Sequence, residues 1–196
     1  MKKLLPIIVL LLACTQTKTC FTPPPKTALR GEQAYINIKD SMEVFTALTE
    51  SGMRPAYRQN LANKVIKNPG NYNPLALLAL GIQCLRYNDY FYGALYTHAA
   101  ILRAEIDIAL SQDTTLTTVT ENMLDEIHRT LPKLDNERFN RAFKQVARDA
   151  IAWDKGTPRN YDRRWASLYS AQERLTYRSH TSEPTIIEQI YSQHQQ

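Results

Sequence analysis

Between Pro74 and Arg86 the chain reads PLALLALGIQCLR, so apolar around its circumference that a helix built from it has no face left for water. Such a helix must lie at the centre of its domain, with other elements covering it on every side. Its partner follows at once. After Tyr87, Asn88 and Asp89, read as a short turn, Phe91, Leu95, Ala99, Leu102 and Ile106 recur at spacings of four, four, three and four. That period puts one apolar stripe along a helix from about Tyr90 to Ser111, and the short turn predicts an antiparallel pair.

The rest of the punctuation is helical as well, and no alternating strand pattern of useful length occurs. A first helix is expected from about Glu32 to Ser51, stopped by Gly52, and Pro55 suits the first turn of a second, which "NPGNYNP" ends. A fifth runs from about Thr117 to Leu131, before Pro132. A sixth carries Phe139, Phe143, Val146 and Ala150 on one face and reaches Trp153 before "DKGTP". Asp162 is a candidate cap for a seventh, with Trp165, Leu168, Tyr169 and Leu175 facing inward, and Ser182 for a short last helix with Ile186, Ile187 and Ile190. The expected fold is therefore all-α, about eight helices in one bundle or short helical-repeat-like domain over residues 32–196.

Residues 1–13 are a different kind of sequence. Lys2 and Lys3 precede an apolar run from Leu4 to Ala13, too short for a bilayer-spanning helix, which needs about 20 apolar residues, but of the length found in the core of a signal peptide. The run ends Leu11-Leu12-Ala13-Cys14, a string that resembles the lipobox of bacterial lipoproteins. The resemblance implies cleavage before Cys14, with diacylglycerol on its sulfur and further acylation of the new amino terminus. Each buried acyl CH2 contributes about 0.8 kcal/mol, so several chains hold a protein on a membrane where one does not. Thr15, where an aspartate often signals inner-membrane retention, leans the resemblance towards the outer membrane.

Residues 14–31 read as a tether, with "TPPPK" favouring extended polyproline II at about 3.1 Å per residue. Loss of Lys2 and Lys3 with the leader lowers the formal net charge of +5 by two, so basicity gives no argument for a nucleic-acid partner. Cys14, Cys20 and Cys84 are too few and too irregularly spaced for a disulfide framework or a zinc site. With Cys14 lipidated, Cys84 either bridges Cys20 or sits buried as a small apolar residue.

Leu80 and Gly81, the turn at Asn88 and Asp89, then Gly93 and Ala100 look like the small-residue spacing of a tetratricopeptide-like hairpin. The match covers Pro74 to Ser111, and no second copy follows at the expected period of about 34 residues. That resemblance implies a protein-binding scaffold.

Chemistry-bearing motifs are scarce. His98, His128, His180 and His194 are scattered. Glu121, Asp125 and His128 share one helix face and could contribute to a metal site, although such a trio is more often a solvated face, and no metal or other cofactor is expected. No nucleophile-base pairing, phosphate loop or paired-carboxylate signature appears, so no catalytic residue is assigned. Two stretches have the composition of an interface. One is the tyrosine cluster Tyr87, Tyr90, Tyr92 and Tyr96; the other is "KGTPRNYDRRW", with Arg159, Arg163 and Arg164. Tyr92, Tyr96, Arg159 and Arg163 are the candidate partner-binding residues, and Cys14 is the lipid anchor. The expected function is a membrane-anchored, non-catalytic envelope lipoprotein that binds another envelope protein, as an assembly factor, secretion-system component or immunity protein. The alternatives are a periplasmic small-ligand or anion-binding protein and, more remotely, a hydrolase whose site is assembled from distant residues.

Overall fold

The computed structural model describes residues 37–170, 177–178 and 182–195. The leader, the tether, Cys14, Cys20 and the expected inward-facing Leu175 lie outside these residues. Eight α-helices follow one another: α1 (Asn37–Thr49), α2 (Pro55–Lys67), α3 (Pro74–Arg86), α4 (Tyr90–Leu110), α5 (Val119–Thr130), α6 (Asn136–Gln145), α7 (Ala147–Gly156) and α8 (Glu183–Gln193). Short 3-10 turns at Pro69–Asn71, Thr114–Thr118 and Arg163–Leu168 connect them, and among the described residues the only β contact is an isolated bridge between Ser111 and Tyr177. The fold is all-α, as expected from the helical punctuation.

The α3–α4 hairpin is the centre. Asn73 caps α3 by accepting from the amides of Leu75 (3.1 Å) and Ala76 (3.2 Å), with Pro74 pre-set for the first turn. Every residue from Pro74 to Leu85 is buried. The helix stops because Asn88 adopts φ 61°, a left-handed conformation that asparagine tolerates. The amides of Asn88 and Asp89 then donate to the carbonyls of Leu85 (2.9 Å) and Cys84 (3.0 Å). Asp89 in turn caps α4.

Two glycines let the hairpin close. A Cβ on Gly81 would lie 2.9 Å from the Gly93 carbonyl oxygen, and one on Gly93 would lie 2.6 Å from Leu85 Cγ. From Leu95 onward the expected stripe is buried. Phe91 is 49% exposed, because it precedes the point at which Gly93 meets Leu85 and α3 has already ended there.

The other helices wrap this pair. α1 runs parallel to α3: its Ser41 hydroxyl accepts from the Asn73 amide at one end (3.2 Å). At the other, Arg86 donates to the carbonyls of Leu48 (2.6 Å) and Thr49 (3.1 Å). Arg58 from α2 reaches the next carbonyls, Glu50 (2.7 Å) and Ser51 (2.6 Å), so two arginines satisfy carbonyls at the end of α1. On the far side, α5 to α8 pack against α4.

Two expectations need correction. The single sixth helix is broken at Val146 (φ −86°, ψ 0°) into α6 and α7, so that Phe143 meets α4 at His98 while Asp154 meets it at Arg103. The expected seventh helix is only the 3-10 turn Arg163–Leu168, although Asp162 does cap it. A turn that short develops no stripe: Trp165 and Ala166 are buried, while Leu168 is 53% exposed and Tyr169 is also exposed.

The close approach at Gly81 generates a prediction. Gly81→Ala gains up to about 1 kcal/mol of helix propensity but must push the helices apart, so the net effect is a loss of about 1–3 kcal/mol in urea unfolding. A variant as stable as the parent would show that the hairpin yields at this point.

Candidate functional site

Because α4 is covered on nearly all sides, its polar residues must find partners inside the protein. Arg103 and Asp154 have fully buried side chains joined by a 2.6 Å bond from Nε to Oδ1. Arg103 Nη2 also donates to the Thr157 carbonyl (3.0 Å), and the guanidinium lies 5.0 Å from the Trp153 ring centre and 5.6 Å from that of Tyr161. Asp154 Oδ2 accepts from Arg159 (2.5 Å) and from the Tyr191 hydroxyl (2.9 Å). Burial pushes the Asp154 carboxyl up, but Arg103 and Arg159 more than offset it and hold it below the usual carboxylate range.

One turn further along α4, Asp107 Oδ2 accepts from Tyr161 (2.9 Å) and the Trp165 indole (2.8 Å). Its Oδ1 forms an ion pair with Arg163 Nε at 3.3 Å, without hydrogen-bond geometry. Arg163 also pairs with Glu183 at the start of α8. Burial raises Asp107 to about 6, against the opposing pull of Trp165, Arg163 and Tyr161.

The candidate partner residues therefore divide. Tyr96 is fully buried, at 5.9 Å between ring centres from Trp153, and belongs to the core. Arg159 and Arg163 are mostly buried and committed to Asp154, Asp107 and Glu183. Of the surface expected from Tyr92, Tyr96, Arg159 and Arg163, Tyr96 is withdrawn into the core, while Arg159 and Arg163, paired with Asp154 and Asp107, line an open pocket of about 600 Å3 between the end of α7 and α8. Tyr92 stays half-exposed, between Phe91 (5.1 Å) and Tyr96 (6.3 Å).

What the sequence reading missed is the neighbour of the tyrosine cluster. Tyr90, Phe91, Arg138, Arg141, Ala142, Gln145 and Val146 line a groove of about 240 Å3 between the first turn of α4 and α6. Arg138 stacks over Tyr90 at 4.2 Å and makes no ion pair among the described residues; Arg141 meets only exposed Glu137, at 3.7 Å. The available signal was the amphipathic "ERFNRAFKQ", whose arginines fall on the face opposite Phe139.

His98 is buried, stacked on Phe143 at 4.5 Å, and its Nε2 lies 3.0 Å from Nδ1 of His194, whose Nε2 lies 2.6 Å from Glu105 Oε2. Both nitrogens of His194 are engaged in these contacts. Burial, then His194, lowers the His98 pKa to about 4. Glu121, Asp125 and His128 point to solvent from α5, and no group of metal-ligating side chains among the described residues is placed to hold an ion. Cys84 is buried in α3. No helix of the described residues is long and apolar enough to cross a membrane. No protein-family model matches this chain, and neither a curated protein nor a solved structure does.

Two predictions follow from these ionisable groups. Asp154→Asn leaves Arg103 charged and buried without a counter-ion and costs about 3–5 kcal/mol in urea unfolding, part of which a second change, Arg103→Met, restores. An Asp154→Asn protein of parental stability would remove the ion pair from any structural role.

The second concerns pH. The lowered His98 pKa gives stability that is complete above 6.5 and lost as pH falls towards about 4. The raised Asp107 pKa gives stability present below 3.8 and lost as pH rises through about 6. The two slopes oppose each other in the shared window. Asp107→Asn is expected to steepen the acid loss and His98→Phe to reverse its sign; identical pH–stability curves for all three proteins would refute both assignments.

Proposed function

We propose that this chain is an envelope lipoprotein anchored through Cys14, preferentially in the outer membrane, with residues 15–31 as its tether. Its helical body acts as a non-catalytic module that binds an acidic segment of another envelope protein. The anchor rests on the Leu-Leu-Ala-Cys string that closes a short apolar run behind two lysines.

One observation carries the binding reading: half-exposed Phe91 beside two weakly paired arginines in a groove with no carboxylate in its lining. An aromatic anchor next to guanidinium groups is the usual make-up of an interface hot spot, and the charge selects a partner bearing carboxylates beside an apolar residue. Arg159 and Arg163 already pair with Asp154, Asp107 and Glu183 and so have less charge to offer a partner.

The first test is intact mass and membrane partitioning of the expressed protein beside Cys14→Ser. A mature chain beginning at residue 14 with added acyl mass, absent from the variant, is expected; an unmodified chain in the soluble fraction would overturn the anchor. For the groove, the probe is a synthetic peptide alternating Glu and Leu. Saturable binding that falls at least about tenfold, or 1.4 kcal/mol, in Phe91→Ala and in Arg138→Glu is expected. Equal affinity for a Lys–Leu peptide would overturn the acidic reading, and binding only to anionic vesicles would replace it with a membrane surface.

A further inference from the structure

The final helix is held unusually. α8 buries only Ile190 and Tyr191 fully, with Ile186 and Ile187 partly covered. Polar ties therefore do much of the positioning. Glu183 pairs with Arg163 at its start, Glu188 with Lys155 on the surface (3.1 Å), and Tyr191 joins Asp154 and Arg159 in its last turn. At its end, His194 is clasped between Glu105 and His98, both on α4.

The last tie has a limited proton capacity. The contact between His98 Nε2 and His194 Nδ1 is a hydrogen bond only while one nitrogen carries a proton and the other does not. With both rings protonated, two N–H donors and two positive charges face each other across 3.0 Å, and Glu105 balances only one of them. The surroundings offer no other relief. Glu105 is the one carboxylate bonded to the pair or lining the cavity beside it. α6 presents the Phe143 ring and backbone, the α5 region presents Thr117 and Thr120, and α8 itself adds Gln193.

We propose that the Glu105–His194–His98 chain is an acid-operated latch that seats the C-terminal end of α8 on α4 and releases it under moderately acidic conditions. Release is local. Asp154 stays ionised through that range, so Tyr191 keeps the helix seated as far as its last turn and only the residues after it come away. The freed end uncovers the cavity of about 390 Å3 lined by Glu105, Ile108, Ala109, Thr117, Thr120 and Ile190. The latch titrates between the ordinary histidine value of 6.5 and about 4, since His98 must accept charge in an apolar site.

The test is an NMR titration of the full chain in detergent, following amides and histidine rings from about pH 7.5 to about pH 3.5. Amides of residues 192–194 are expected to move together with the His98 ring while those of α3, and of α8 as far as Tyr191, stay fixed. His98→Phe, which keeps the stacking on Phe143, and His194→Gln, which still donates to Glu105, should each abolish the transition without loss of helix content. If His98→Phe does not fold, His194→Gln decides. Unmoved amides at residues 192–194, one common midpoint for α3 and these residues, or a transition that survives His194→Gln would overturn the latch.

Discussion

Arg103 and Asp154 stand 51 residues apart in sequence and share one bond between fully buried side chains. Everything on the far side of α4 is arranged around that bond. It fixes the last turn of α7, draws in Arg159 and Tyr191, and so determines where α8 lies. A pair like this adds little net stability over an apolar replacement, because removing both charges from water is costly. What it does supply is registry. A helix that is covered on all sides could slide against its neighbours, and a buried charge with one acceptable partner prevents this.

The hairpin and the number of helices were legible because they rest on local rules. An all-round apolar run, proline and asparagine at helix starts, and a stripe at helical spacing each act within a few residues. Tyr96 and Arg159 were misread for the opposite reason. Their exposure depends on Asp154 and Trp153, which are distant in sequence, and a tyrosine or arginine at an interface has the same composition as one satisfied inside. Phe91 shows the same limit in reverse. Its spacing placed it in the stripe, but its burial depended on where α3 ends. The break at Val146 left no mark, since neither glycine nor proline produces it.

The tyrosine cluster is thus two things. Tyr90 and Tyr96 are inside, Tyr92 is at the boundary and Phe91 is outside, stacked in sequence from solvent to Trp153 and on to Arg103. The groove beside Phe91 is therefore built on a wall of large, stiff side chains. A partner docking there meets a surface that loses little conformational entropy on binding, and that is the condition under which a small interface holds.

The ties that seat the end of α8 on α4 span 89 and 96 residues, whereas those of the α3–α4 hairpin are between neighbours in sequence. Chain closure over such lengths is entropically costly and is rewarded only once the rest of the bundle stands. Contact separation of this kind favours the hairpin forming before α8 is seated on α4. The groove draws on α4 and α6 alone, so it does not need the final helix in place.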